Sequence, residues 1–224
     1  MIAALEKIRE AQALHQRLVS VAVDLAARER LARERRWLDD AVALLADRVE
    51  GTHAIVDEAA ALPEAGTLRD ELVDESCGRW IDAAEALHAA LARTFGARAP
   101  VLEALFPHAE FSALRRKGFD EYREAVHRFL ATSYVERTLA AEERVHGARD
   151  ALVAAADRLA RLRDPQPPAD EAALRRAVDD AAAPLDLALR QVRLLAEAAL
   201  LPAPDLLERA ALEGHKRRRR ARSA

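Results

Sequence analysis

Apolar residues recur at intervals of three and four along most of this 224-residue chain, and this spacing limits its fold more than any other feature. One early run places a single apolar stripe along one side of an α-helix: Leu14, Leu18, Val21 and Leu25. Runs of β-branched and aromatic residues, from which strands are built, are nearly absent, and aromatic residues make up only 4% of the chain. The sequence therefore predicts an all-α protein.

The stripes, with the prolines and glycines between them, predict four long helices. We expect these helices over residues 2–49 (with an extension to about 62), 68–95, 119–163 and 170–201. Four rods of similar length joined by tight turns predict an up-down-up-down antiparallel four-helix bundle of long helices with short capping helices. Residues 1–201 are expected to form this bundle as one domain.

Breaks in the pattern predict where the helices bend or end. Short capping helices are expected within 97–117, and a Pro-rich turn at 164–168, because proline cannot continue a helix. Pro184 predicts a kink in the fourth helix, and Gly51 predicts a bend in the first. Thirteen residues separate Leu25 from Leu38, one short of two heptads, so the apolar stripe should change face between them or the helix should unwind locally. After the bundle we expect a short helix over 202–214 and a disordered basic tail over 215–224.

The distribution of charge excludes some classes of protein. The formal net charge is −3, and no stretch longer than seven residues lacks a charged side chain, so we expect no transmembrane segment. Glu6, Lys7 and Arg9 interrupt the first turns, which argues against a secretory signal and makes the cytoplasm the expected location. The single cysteine, Cys77, cannot form an internal disulfide, and we expect it to be a buried, inert thiol.

Three Glu-x-x-His pairs on predicted helices are the clearest chemical pattern: Glu85–His88, Glu124–His127 and Glu143–His146. Residues three apart lie on neighbouring parts of a helix surface, so each pair could present a carboxylate and an imidazole to one metal ion. If the second and third helices are antiparallel, His88 lies level with His127 and Glu85 level with Glu124.

The spacing resembles the Glu-x-x-His element of the ferritin-like di-iron carboxylate proteins, which are also four-helix bundles. The resemblance implies a di-metal site of Glu85, His88, Glu124 and His127 that holds iron or manganese. The predicted fourth helix has no histidine, although that family carries a second paired motif there. The alternative is that these residues lie at the surface or at helix edges and contact each other locally, in which case no cofactor is expected.

The C-terminal tail carries six positive charges within seven residues: Lys216, Arg217, Arg218, Arg219, Arg220 and Arg222. Such a cluster attracts nucleic acid, another polyanion or an acidic surface. It contains no aromatic residue for base stacking, so binding of this kind would be electrostatic and sensitive to salt. The alternative is a solvated end that contributes only to solubility.

No established catalytic motif accompanies these features. Gly-rich phosphate loops, Cys-x-x-Cys pairs and Gly-x-Ser-x-Gly turns are all absent from the sequence. We therefore expect a non-catalytic interaction or scaffolding protein whose partner is another protein or a second copy of itself. A di-metal carboxylate bundle is the first alternative, and polyanion binding through the tail is the second.

Overall fold

The computed structural model of the protein describes residues 1–106, 111, 119–132 and 143–212. Within these residues it contains no β-strand, which confirms the all-α class. Its helices are α1 (Ile2–Ala26), α2 (Ala32–Val49), α3 (Thr52–Ala59), α4 (Gly66–Phe95), α5 (Pro100–Leu105), α6 (Phe119–Leu130), α7 (Glu143–Arg163), α8 (Glu171–Ala182), α9 (Leu185–Leu200) and α10 (Pro204–Arg209).

The chain divides into two compact units. The first, which we call the discontinuous unit, combines residues Met1–Ala65 with the chain from Pro167 onward. The second, the inserted unit, is the continuous segment Gly66–Gln166. The inserted unit therefore interrupts the discontinuous unit in sequence, between α3 and α8.

The discontinuous unit is built from three helical rods, namely α1, α2 followed by α3, and α8 followed by α9. α2 packs against both α1 and α9, and α8 packs against both α1 and α3. Gln12 of α1 meets Thr52 at the start of α3, so the second rod runs antiparallel to the first. Lys7 pairs with Asp186, and Glu10 pairs further along with Arg193, so the third rod runs parallel to α1.

The predicted apolar stripes form the core between these rods. Every member of the first stripe, Leu14 to Leu25, is at most 2% exposed. α9 contributes its inward face through Leu185, Leu189 and Val192, which are at most 3% exposed. Long helices with one apolar side are stable only when that side is covered, and here three such sides cover one another.

The prediction of one helix over residues 2–49 is wrong. α1 ends at Ala26, a 3₁₀ turn covers Glu29–Leu31, and α2 then packs back against α1. A continuous helix would carry Leu38 away from the face that Leu25 occupies, whereas the reversal lets both residues enter the same core. The up-down-up-down four-helix arrangement is accordingly not confirmed, since the discontinuous unit has three rods.

The bend predicted at Gly51 is confirmed. Gly51 has a positive φ of 74°, which an L-residue rarely adopts, and it separates α2 from α3. The Thr52 hydroxyl donates to the carbonyl of Val49, the last residue of α2, at 2.7 Å. The buried amide of Gln12 then donates from Nε2 to Thr52 Oγ1 at 2.9 Å. A local turn in the second rod is thus hydrogen-bonded to the first rod.

We expect Thr52→Val to lower the free energy of unfolding by about 1–3 kcal/mol, because the same-sized side chain leaves two buried polar groups without a partner. Urea unfolding of the full chain measures this loss. Thr67→Val is the matched control, since Thr67 is exposed on α4. Equal losses in the two variants would contradict a structural role for the buried hydrogen bonds.

The inserted unit is organised around α4, its longest helix. α7 packs along α4, and α5 packs against both α4 and α6. One apolar cluster joins the four helices, with Trp80, Leu87 and Leu91 at its centre on α4. A single helix over residues 119–163 was predicted here, and this prediction is wrong. α6 ends at Leu130, and the Thr132 hydroxyl donates to the Phe129 carbonyl at 2.8 Å beyond that end.

Other predicted breaks agree with the helix bounds. The Pro-rich segment 164–168 lies between α7 and α8, and the chain breaks at Pro184 between α8 and α9. α5 lies inside the predicted capping segment 97–117, whose remaining part is mostly outside the described residues. α10 lies within 202–214, and the basic tail over 215–224 is also outside the described residues. None of the helices in the described part of the chain is both long enough and apolar enough to span a bilayer.

Candidate functional site

Five of the nine Phe, Trp and Tyr residues form one cluster in the inserted unit, together with two histidines. At its centre, the fully buried Trp80 lies edge-on to Phe119, at 5.3 Å between ring centroids, and to Tyr122, at 6.4 Å. The remaining members are Phe106, Phe111, His88 and His127. Edge-to-face contacts of this kind stabilise a core beyond simple burial. The cluster therefore joins α4, α5 and α6.

The only polar contact of Trp80 in this cluster is with His127. The indole Nε1–H donates to His127 Nε2 at 3.0 Å, so the neutral imidazole carries its proton on Nδ1. Burial lowers the pKa of His127, nearby Arg123 lowers it further, and Asp157 opposes the shift. The half-buried histidine is therefore neutral at physiological pH, and its Nε2 lone pair is already used.

The resonance of the Trp80 indole N–H should move with pH at a midpoint below 6.5, the ordinary pKa of histidine. As the pH falls below 6.5, the unfolded chain binds the proton before the folded chain does, so stability from this contact is present above 6.5 and declines below it. NMR of a Trp37→Phe variant isolates the Trp80 signal. A midpoint at or above 6.5, or the same titration in a His127→Leu variant, would contradict the assignment.

Tyr122 is a buried phenol that is unsuited to proton transfer. Its hydroxyl oxygen is inaccessible and has no hydrogen-bond partner among the residues described. Burial raises the pKa of Tyr122 to about 12, so the group is neutral throughout the physiological range.

The residues of the predicted di-metal site differ in their surroundings. Glu85 and Glu124 are exposed, and Glu124 lies 4.0 Å from the guanidinium of Arg123. His88 packs edge-on against Phe106 and Phe111, each at 5.6 Å between ring centroids. His127 uses Nε2 to accept the Trp80 bond. In the described ranges, no group of three or more His, Cys, Asp and Glu side chains is placed to hold a metal ion.

The third Glu-x-x-His pair is placed differently again. His146 Nδ1 lies 3.5 Å from a carboxylate oxygen of Asp150, one turn further along α7. The histidine is therefore close to the carboxylate that lies four residues after it.

Cys77 belongs to a small polar group beside the aromatic cluster. Arg163 at the end of α7 forms an ion pair with Asp120, donates from Nη2 to Cys77 Sγ at 3.8 Å, and lies 5.8 Å from the centre of the Phe119 ring. Burial raises the pKa of Cys77, although Arg163 opposes the shift. The thiol is therefore protonated at neutral pH and a weak nucleophile.

A row of exposed ion pairs connects α1 and the turn after it to the C-terminal helices. The pairs are Lys7–Asp186 (2.8 Å), Glu10–Arg193, Asp24–Arg209 (2.6 Å) and Arg28–Asp205 (3.1 Å). Exposed pairs contribute little to stability, but the two pairs on α9 follow the order of their partners on α1, which agrees with the parallel arrangement of α1 and the third rod. Asp186 and Arg193 of α9 are thus paired with α1 within the unit.

The outward face of α9 carries a row of exposed leucines. Leu187, Leu194 and Leu201 are 63%, 69% and 65% exposed, and each is seven residues from the next. Two helical turns nearly restore the same angle, so the three leucines form one stripe opposite the buried face of the helix. This stripe, Leu187–Leu194–Leu201, is called the outer leucine stripe below.

The outer leucine stripe is absent from the predicted site residues. The seven-residue spacing of its leucines is visible in the sequence. The same helix, however, also carries a second apolar set, and that set alone is enough to explain an amphipathic helix. Leu185, Leu189 and Val192 account for a helix with one buried side, so the other leucines look like additional core residues.

Comparison with known proteins identifies no relative of the chain. No protein-family model, no curated protein and no solved structure matches it.

Proposed function

We propose that this chain is a non-catalytic helical interaction protein that binds a protein partner, or itself, through the outer leucine stripe of α9. The observation that carries the proposal is the exposure of three leucines at seven-residue intervals on a helix whose inner face is already fully packed. An exposed apolar stripe along a helix fits the surface of a second helix.

The proposal is supported by the contrast between the two faces of α9. The inner face contributes Leu185, Leu189 and Val192 to the core, so the outer leucines are not required to close it. Scattered exposed apolar residues need no explanation, but these three lie in one row about 21 Å long. Covering such a row removes apolar surface from water and favours association.

Internal contacts of the chemically capable side chains also support a non-catalytic role. His127 accepts the indole N–H of Trp80, and Arg163 pairs with Asp120. Burial keeps Tyr122 and Cys77 in their neutral forms. In the part of the chain that the structure describes, two of these side chains thus have internal polar partners, and the other two are neutral.

Site-specific photo-crosslinking in the native host tests this proposal. A benzophenone side chain in place of Gln191, which is exposed beside the stripe, should give a protein adduct. The same group in place of Glu58, exposed on α3, is the control and should give none. Adding Leu194→Glu should remove the adduct at position 191. If position 191 gives no more adduct than position 58, the proposed function is wrong.

The other two interpretations remain predictions with their own tests. A di-metal site at Glu85, His88, Glu124 and His127 requires iron or manganese at close to stoichiometric levels in the purified protein, and these metals should decrease in a His88→Ala variant. Polyanion binding through residues 216–222 requires heparin retention at low salt that is lost when residues 215–224 are removed.

A further inference from the structure

We propose that the partner on the outer leucine stripe is a second copy of this chain, bound antiparallel about a two-fold axis that passes beside Leu194. This inference rests on the proposed function and specifies the partner. Four features of α9 lead to it, and each concerns residues in the described part of the discontinuous unit.

The helix that carries the stripe is unbroken from Leu187 to Leu201. Leu201 follows the last residue of α9, but it keeps helical backbone angles (φ −50°, ψ −42°), and its N–H bonds to the Glu197 carbonyl at 3.0 Å. The three leucines therefore lie on one unbroken helical surface.

The stripe is complementary to itself. Leu194 lies at its midpoint, with Leu187 and Leu201 at equal distances on either side. An antiparallel copy centred on Leu194 places Leu187 of one chain against Leu201 of the other, and Leu194 against itself. A two-fold interface has this property, because the same patch serves both subunits.

Charges beside the stripe favour the antiparallel direction. Arg190 and Glu197 are both exposed, and their seven-residue spacing places them on the same flank of the stripe, one before Leu194 and one after it. In the antiparallel pair, Arg190 of each copy lies level with Glu197 of the other, which gives two symmetric ion pairs. In a parallel pair, this flank would face the uncharged opposite flank instead, and no such pairing would occur.

The opposite flank is suited to a close approach. It carries Gln191 and Ala198, which are exposed and uncharged. In the antiparallel pair they meet each other across the interface, so a small side chain faces a polar one and no like charges are opposed. Small residues at a helix contact allow a short distance between the two axes.

The expected dimer is weak, because one pair of helices of this length buries less surface than a standard interface. Sedimentation equilibrium of the full chain should show a reversible monomer–dimer equilibrium in the micromolar range. Leu194→Glu, which places two like charges at the centre, should raise the dissociation constant by about 100-fold or more. Val23→Glu should not change it, because Val23 is equally exposed at 69% but lies on α1. Circular dichroism confirms that both variants are folded.

A charge-reversal mixture tests the antiparallel direction. Arg190→Glu and Glu197→Arg should each dimerise more weakly than the wild type, because each opposes like charges in both symmetric contacts. Mixed one to one, the two variants should form a heterodimer, since every contact is then between opposite charges. Arg190→Glu mixed with Glu58→Arg is the control, because it has the same net charges with the reversal on α3. Its heterodimer should be weaker than that of the charge-reversal mixture, since one of its two contacts opposes like charges.

The possible outcomes separate this inference from the proposed function. If the wild-type chain remains monomeric at high micromolar concentration, but position 191 still gives an adduct with another protein, the second-copy inference is overturned and the proposed function stands. If neither a dimer nor an adduct is observed, both are overturned. A dimer that is insensitive to Leu194→Glu, or a mixture without a heterodimer, also overturns the antiparallel pairing on α9.

Discussion

Replacing Trp80 with alanine should lower the free energy of unfolding of the full chain by about 3–5 kcal/mol. Trp80 is 0% exposed and contacts three other rings, so truncation leaves a cavity at the centre of the inserted unit. Phe119 and Tyr122 both approach the indole edge-on from α6, so the truncation removes contacts to two aromatic rings at once. Urea unfolding followed by circular dichroism measures the loss without relying on tryptophan fluorescence.

Two further variants separate packing from hydrogen bonding. Trp80→Phe retains much of the ring contact but removes the donor to His127, and its expected cost is about 1–3 kcal/mol. Trp37→Ala is the comparison for a tryptophan outside the cluster. Trp37 is half-buried on α2 with the Arg33 guanidinium 4.7 Å from its ring centre, and its truncation should cost less. Equal losses for the Trp80→Ala and Trp37→Ala variants would contradict the central role of the cluster.

The helical class and most helix ends could be predicted because they depend on local chemistry. Pro184 and the prolines of 164–168 lack the backbone donor that a helix needs, wherever the rest of the chain lies. Gly51 allows a positive φ by itself. The buried stripes could be predicted for the same reason, since a spacing of three and four fixes which side chains share a face.

The reversal between α1 and α2 could not be predicted in the same way. Residues 27–31 contain neither glycine nor proline, and their helix-forming arginines and leucine favour continuation. The contacts that accompany the turn involve distant residues, because Arg28 pairs with Asp205, and Asp24, just before the turn, pairs with Arg209. The only local sign was the thirteen-residue gap between two stripes, which indicated a change of phase but not its size.

The Glu-x-x-His pairs show the limit of reasoning from spacing alone. Residues three apart on a helix differ by about 60° around its axis, so one can lie at the edge of the core while the other faces solvent. His88 and His127 are half-buried among aromatic rings, whereas Glu85 and Glu124 are exposed. Whether both side chains of such a pair face the same site depends on which side of the helix is packed against the core. That orientation is set by the neighbouring helices.

The sequence alone did not distinguish the inner residues of α9 (Leu185, Leu189 and Val192) from the outer leucine stripe. The two sets differ in whether another helix covers them. α2 packs along the side that carries Leu189, and this packing was not predictable because α2 was expected to continue α1. Without knowledge of the rod that faces α9, both sets could have been core. The distinction between a core stripe and a docking stripe is thus a property of the assembled unit.

Leu189→Ala should therefore cost about 2–5 kcal/mol of unfolding free energy, whereas Leu187→Ala, two residues away on the same helix, should change it by no more than about 0.5 kcal/mol. Leu189 is 3% exposed and Leu187 is 63% exposed, so only the first truncation creates a cavity. Urea unfolding at concentrations well below those at which dimers form isolates the effect on the monomer, because association would otherwise stabilise the folded state.

The variant with the smaller effect on unfolding should have the larger effect on dimerisation. Leu187→Ala removes apolar surface from both ends of the antiparallel pair, so it should weaken dimerisation, while folded Leu189→Ala keeps the whole outer stripe and should not. A stripe that served only the fold would give a large unfolding effect for Leu187→Ala and no effect on association. The two measurements therefore decide, residue by residue, which face of α9 builds the unit and which face binds a partner.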